Sequence, residues 1–443
     1  MTERQRPHIL IVGGGYVGMY TALRLQKKLR RHEAMVSVID PLSYMTYQPF
    51  LPEAAAGNLE PRHVVVPLRR VLPRAQILNG RVTRIDHARR VVTFTPNAGE
   101  PVEISYDIIV VAPGSIARTL PIPGLAEHGI GFKTVGEAIY LRNHVLAKLD
   151  IAASTSELAV RRRALTFVFV GGGYAGVEVL AELEDMARDA TRSYDGVEPK
   201  DMRWVLVEAS GRILPEVSED LGRYTVNELR RRKIEVRLGT RLESAENNHI
   251  VLSDGEEFDA DTLVWTAGVK ANPMVAQSDL PVDSKGRLKG TAFLRIEGLD
   301  DAWTAGDSAA IPDLSKSDPD SPSVPVALCG PSAQHAVRQA KHLGDNIVAV
   351  LHGLEPTVYR HAYAGSVASL GLHKGVAQVY GIKLRGWPAW VMHRTYHLMR
   401  VPTFNRKVRV AADWTLALFF HREIVSLGAL QNPREEFEHA SKG

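Results

Sequence analysis

The sequence predicts an α/β chain built on two strand–turn–helix units, and three observations carry that expectation. The run "HILIVGGGYVGMYTALRL" at His8 to Leu25 is echoed by "FVFVGGGYAGVEVLAEL" at Phe167 to Leu183. Each is an apolar strand, a glycine turn, and then a helix with apolar residues at helical spacing. Each is followed by a short apolar strand with an acid at its end, Asp40 in "MVSVID" and Glu208 in "RWVLVEA". Finally, "YDIIVVAPGS" and "ADTLVWTAGV" close the two units with one shape: an acid, an apolar run, a small residue and a glycine.

The first turn holds Gly13, Gly15 and Gly18 in a G-x-G-x-x-G pattern. The first glycine permits the tight turn, the second lets the backbone approach a pyrophosphate, and the third lets helix and strand pack closely. The pyrophosphate then meets the free N–H groups and dipole at the helix N-terminus. Asp40 stands where an acid accepts hydrogen bonds from a ribose diol. Gly171, Gly173 and Gly176 repeat the pattern, with Glu208 as the matching acid. The gap to Glu208 is longer than that to Asp40, so the second helix is expected to run on through "VEVLAELEDMARDATRSY". A carboxylate at 208 repels a ribose 2′-phosphate, so this site should prefer NADH over NADPH. Two such fingerprints predict two Rossmann-like dinucleotide-binding domains, one for a flavin dinucleotide and one for a nicotinamide dinucleotide.

Composition narrows the class. A chain of 443 residues with 45% hydrophobic and 23% charged residues is long enough for two or three folded domains. A formal net charge of +4 gives no reason to expect nucleic acid as a partner. Cys329 is the single cysteine, which excludes an intrachain disulfide, a C-x-x-C redox pair and a Cys-based metal set, and fits a reducing compartment. No metal is expected. The N-terminal run reads as a first strand, not a signal peptide, and no apolar run is long enough for a membrane-spanning helix.

The tail differs from the rest. Eight Lys/Arg and three of the six tryptophans fall between Lys383 and Arg422. On a helix, "GWPAWVMHRTYHLMR" places His393, His397 and Arg400 on one side. Basic residues beside Trp and Phe suit an interfacial anchor on an anionic membrane surface. The same face would equally serve a homodimer interface or cap the fold.

Further motifs carry a family resemblance. Gly306-Asp307 in "WTAGDSAA" resembles the flavoprotein motif whose Asp contacts the ribityl chain of FAD. "VVAPGS" and "VWTAGV", with Gly268, resemble the crossing motifs of disulfide-reductase-like flavoproteins with two dinucleotide sites; a single cysteine excludes the thiol branch. "YQPFLPEAAAG" resembles the F-Q-P-L-L-Y-Q-V-A-T-G segment of type II (non-proton-pumping) NADH:quinone oxidoreductases, keeping Gln48 and Pro49 but departing at Pro52 and Glu53. "GGGYAGVEVLAEL" resembles their G-G-G-x-T-G-V-E-x-A-G-x-L, keeping Glu178. "YAGSVASLG" and "GWPAWVMHRTYHL" resemble G-S-L-A-x-I-G and A-W-x-x-W-x-x-x-H-L. "SAQHAVRQA" resembles the A-Q-x-A-x-Q-Q helix that lines the family's quinone pocket, with Arg338 in place of a second Gln.

The resemblance implies FAD as cofactor, NADH as substrate and a membrane quinone, menaquinone or ubiquinone, as acceptor. It implies an FAD-binding domain over 1–120 and 295–380, an NADH-binding domain over 121–294, and a C-terminal amphipathic membrane-associating region over 381–443. FAD is then held by Gly13, Gly15, Gly18, Asp40, Gln48, Asp307 and Ala333, and NADH by Gly171, Gly173, Gly176, Glu208 and Gly268. Gln334 and Arg338 face the quinone, and Glu178 lies near nicotinamide and quinone with a part in proton delivery. The expected location is the cytoplasmic face of the cell membrane, peripherally bound. Two rival readings remain: a soluble NAD(P)H-dependent flavoprotein with a non-quinone acceptor, and an NADH-binding flavoprotein with an interaction or signalling role.

Overall fold

The computed structural model describes residues 6–316, 327–362, 365–420, 422–428 and 435–440. The chain divides into two compact units, one of residues 1–46, 66–116 and 269–363, the other of 47–65, 117–268 and 364–443.

The first unit is organised by a seven-stranded sheet in the order Ala302–Thr304, Ile108–Val111, His8–Val12, Met35–Asp40, Gln76–Asp86, Val91–Pro96, Val102–Ser105. The first five strands are parallel, and the last two pairings are antiparallel. The central strand His8–Val12 is buried on both faces from Ile9 onward, which is why it reads as an unbroken apolar run. Helix Tyr16–Lys28 packs against helix Ala333–Leu351. Gly344 permits their approach, since a Cβ there would meet the Cβ of Arg24 at 2.8 Å. Arg24 then reaches Asp345 through two hydrogen bonds of 2.8 Å.

The second unit holds a parallel five-stranded sheet in the order Gly129–Gly131, Thr262–Trp265, Thr166–Val170, Arg203–Glu208, Glu235–Leu238. Its central strand, Thr166–Val170, is fully buried, and Phe167 stacks on Trp204 with ring centroids 4.3 Å apart. Helix Tyr174–Ala190 follows the strand, as its apolar spacing predicts. An antiparallel sheet of Gly365–Ser369, Gly375–Val379 and Ile382–Arg385 belongs to this unit, with helices Trp387–Arg400 and Phe404–Phe419.

These units divide the chain differently from the boundaries expected at 120, 294 and 380, for local reasons. Residues 269–294 go with the first unit because Asp279 accepts the backbone N–H groups of His87 and Ala88 at 2.8 and 2.9 Å. Residues 47–65 go with the second because helix Leu51–Ala55 packs on Tyr174–Ala190. Strand Gly365–Ser369 joins them there through Ser369, which donates to Glu182 and, from its backbone, to Glu178. Among the described residues no helix is long and apolar enough to cross a membrane.

Gly344→Val should force the two helices of the first unit apart and destabilise it by about 1–3 kcal/mol. A thermal melt of the variant, several degrees below that of the parent, checks this.

Candidate active site

In each unit the glycine turn is built as the fingerprint requires. Gly13 and Gly171 adopt φ of +100° and +116°, a left-handed region open to glycine. A Cβ on Gly18 would overlap the carbonyl oxygen of Gly13, and one on Gly176 would overlap that of Gly171. At Gly15 and Gly173, the N-caps of the two helices, an added Cβ has no atom within 4 Å. Both helix N-termini therefore face open space into which a pyrophosphate can approach the backbone.

The two acids are held identically. Asp40 accepts the N–H of Gly14 at 2.6 Å and that of Leu42 at 2.7 Å. Glu208 accepts the N–H of Gly172 at 2.6 Å and that of Ser210 at 2.7 Å. Each carboxylate is thus fixed at its strand end beside its turn, with oxygen lone pairs left for a ribose diol. Burial pushes the Asp40 carboxyl up, against the two backbone bonds that pull it down.

The first unit brings Asp307 and the helix Ala333–Leu351 to its turn. Gly306 packs on Val17 and Ala336 and donates its N–H to Gln339 at 2.7 Å. Asp307, next along, accepts the hydroxyl of Ser115 at 2.7 Å. Ala333 begins the helix, and Ser332 caps it by accepting the N–H of His335 at 3.1 Å. Gln334 follows, half-buried. Arg338 is tied down: it donates to the carbonyl of Ala362 and lies 3.3 Å from Nε2 of His361. His335 is a packed histidine, its ring 3.9 Å from that of His361. Burial pushes both imidazoles down, His361 to about 4.

Cys329 belongs to a mixed cluster that spacing along the sequence does not show. Ligand atoms of Asp313, Cys329 and His335 lie within 4.8 Å of one another, because two acceptors remote in sequence join the thiol. Lys316, 3.4 Å from Asp313, and Arg338, close to His335's partner His361, supply positive charge that opposes a divalent cation there.

The second unit gathers Gly171, Gly173, Gly176, Glu208 and Gly268, whose φ is +88°. Thr266, unnoticed in the sequence, seals this turn: its hydroxyl donates to the carbonyl of Val170 at 2.9 Å and leaves no room for a Cβ at Gly171 or Gly176. Gln48 lies in this unit with an exposed side chain, donating to the carbonyl of Lys133 at 3.4 Å. Glu178 is buried one turn inside its helix.

Around Glu178 lies a buried polar cluster that sequence reasoning missed. Glu53 accepts from Arg394 at 2.8 Å and from the indole of Trp414 at 2.7 Å. The Arg394 guanidinium lies over Trp390 at 4.1 Å and Trp414 at 4.8 Å, a cation–π sandwich. Glu182 accepts from Asn58 at 3.0 Å and Ser369 at 2.8 Å. Burial, and then the charge of Glu53, push its carboxyl up to about 7. His393 Nε2 lies 3.3 Å from Glu178. The helix Trp387–Arg400 therefore turns His393 and Arg394 inward, where the sequence suggested a surface face. One signal was legible: Glu178 and Glu182 stand four apart on the apolar stripe of an amphipathic helix, where acids need buried partners.

Residues 7–340 match the pyridine nucleotide-disulphide oxidoreductase family. The type II NADH:quinone oxidoreductase of Staphylococcus saprophyticus is 30% identical over 397 residues, covering 88% of this chain and 94% of that protein. The Staphylococcus aureus enzyme of the same name is 31% identical with the same coverage. The chain belongs to the type II NADH:quinone oxidoreductases. Its fold is that of NDH2 from Plasmodium falciparum in complex with NADH, at a TM-score of 0.88 and 17% identity over 95% of this chain and all of that one. The sulfide:quinone oxidoreductase of Aquifex aeolicus is a more distant likeness, at a TM-score of 0.70 and 17% identity over 94% of this chain and 96% of that one.

For a type II enzyme the paired carboxylates make a specific expectation. Glu208→Gln keeps the shape but removes the charge, so the NADPH/NADH ratio of kcat/KM should rise by about tenfold. Steady-state kinetics with both nucleotides measures it, and an unchanged ratio would detach Glu208 from the ribose.

Proposed function

We propose that the chain oxidises NADH and reduces a membrane quinone through FAD, without moving protons across the membrane. The observation that carries this is the pair of glycine turns with identically held carboxylates, in a chain of this family. When bound, FAD supplies the two-electron chemistry that joins the two half-reactions. Gly13, Gly15, Gly18, Asp40, Asp307 and Ala333 would hold it: the turn meets the pyrophosphate, Asp40 the ribose, and Asp307 the ribityl chain. Gly171, Gly173, Gly176, Glu208 and Gly268 would hold NADH in the same manner. We assign Gln334 a hydrogen bond to a quinone carbonyl, with the small Ala333 and Ala336 leaving room for a flat ring. Arg338, held by Ala362, would border that ring and not bond it directly. Gln48 would serve through its amide at the edge of the second unit.

Steady-state NADH oxidation with menaquinone and ubiquinone analogues, set against NADPH and against oxygen alone, tests the reading. A quinone-dependent rate with NADH is expected, and its absence would overturn the proposal.

The same reading gives the tail its place at an anionic membrane surface on the cytoplasmic side. Helix Phe404–Phe419 carries two apolar faces. Val410 and Trp414 turn inward, whereas Phe404, Val408, Leu416 and Phe419 recur at helical spacing on the outside, Phe404 and Phe419 being 80% and 77% exposed. Arg400, Lys407 and Arg409 flank that outer stripe, as an interfacial helix on anionic lipid requires. A homodimer would bury the same stripe. Replacing Phe404 and Phe419 by Asp should lower co-sedimentation with anionic vesicles by about tenfold or more. The melting temperature should hardly change, because neither ring is packed. Retained vesicle binding with a change from dimer to monomer would instead assign the stripe to self-association.

A further inference from the structure

Quinone reduction by NADH consumes a proton. NADH gives up a hydride, the quinone takes two electrons and two protons, and so NADH, one proton and quinone yield NAD⁺ and quinol. The second proton comes from water, and within the second unit a line of protonatable side chains runs through the buried interior toward Glu178.

His393 Nε2 lies 3.3 Å from a carboxylate oxygen of Glu178. One helical turn on, the His397 ring has its centroid 4.6 Å from that of His393, edge to face. The Nδ1 of His397 lies 3.1 Å from the hydroxyl of Tyr47. His393 is 1% exposed, while His397 keeps part of its surface open. In the pattern A-W-x-x-W-x-x-x-H-L, Ala389-Trp390 and His397-Leu398 fall in register, but His393 stands where the second tryptophan would be. An imidazole at a position that an apolar ring can fill costs desolvation that the neighbouring carboxylates must offset.

Resting on the function proposed above, we propose that His393 and His397 carry to Glu178 the proton that quinone reduction consumes, with Tyr47 positioning the His397 ring. His393 gives its proton to the Glu178 carboxylate and regains one from His397, which takes its own from solvent. No electron moves in these steps, and each bond made to a proton replaces one broken.

The surrounding charges favour this direction. His393 faces Glu178 and Glu182 from helix Tyr174–Ala190 and Glu53 from helix Leu51–Ala55, with Arg394 and His397 on its own helix. Arg394 neutralises Glu53, and Asn58 and Ser369 hold Glu182. Burial by itself would push the His393 imidazolium down, but the nearby carboxylate of Glu178, then Glu53 and Glu182, more than offset this and hold it raised. Burial and the charge of His393 push His397 well below its ordinary value. His393, next to the acceptor, therefore holds a proton more readily than His397 does. A group raised in this way keeps its proton to higher pH than a free imidazole and loses it as pH climbs through the raised value. Quinone-dependent turnover should decline on the alkaline side accordingly.

The test compares two acceptors with the full, flavin-loaded chain: a water-soluble quinone analogue, and ferricyanide, which takes electrons and no proton. His393→Gln should lower the quinone/ferricyanide ratio of kcat by about tenfold or more and abolish the alkaline decline. His397→Gln, at a less buried position, should lower the same ratio without loss of flavin. A ratio within about twofold of the parent in both variants would overturn the proposal, as would a parallel loss of both rates, which marks a structural role alone. A parent enzyme that reduces ferricyanide but no quinone would strike the function itself and not the histidine line.

Discussion

Both units depend on one steric constraint: the third glycine of each turn lies against the carbonyl oxygen of the first. No side chain fits between Gly18 and Gly13, or between Gly176 and Gly171. The contact draws each helix N-terminus tight against the end of its strand and aims free N–H groups at the space outside. It also brings the backbone of Gly14 and Gly172 within reach of the acids that end the neighbouring strands. One constraint thereby sets the anion site, the ribose acid and the helix axis together, and the chain applies it twice.

The second unit adds a polar interior that an apolar core would not need. Its centre is the pair Glu53–Arg394, nearly fully buried and clamped between Trp390 and Trp414. Removing one partner of such a pair typically costs about 3–5 kcal/mol, because the other charge is left without compensation. The pair ties helix Leu51–Ala55 to the two C-terminal helices. It also occupies the carboxylate of Glu53, so that Glu178 dominates the charge around His393. Structure and proton chemistry thus share residues: the pair that anchors the tail also sets the electrostatics of the histidine line.

The C-terminal helices work on two sides. Their inner faces supply Trp390, His393, Arg394 and Trp414 to the interior, and the outer face of Phe404–Phe419 presents aromatic and aliphatic side chains among basic ones. The proposed membrane association would give that division a reason, since an enzyme that met a quinone at the bilayer would gain from a surface that rests there.

The sequence by itself determined the two dinucleotide turns, their acids, the Gly306-Asp307 motif and the family, because these depend on local spacing: a strand, a turn and a helix specify one another over a few residues. It also marked Glu178, and the Ala333 helix with Arg338 out of pattern. Only the tertiary structure decided which segments make each unit, that Arg338 is held by Ala362, and that His393 and Arg394 face carboxylates and not water. Hydropathy and helical period assign a polar residue to the surface by default. A buried ion pair reverses that assignment only when its partner arrives from elsewhere in the chain, and Glu53 lies more than three hundred residues from Arg394.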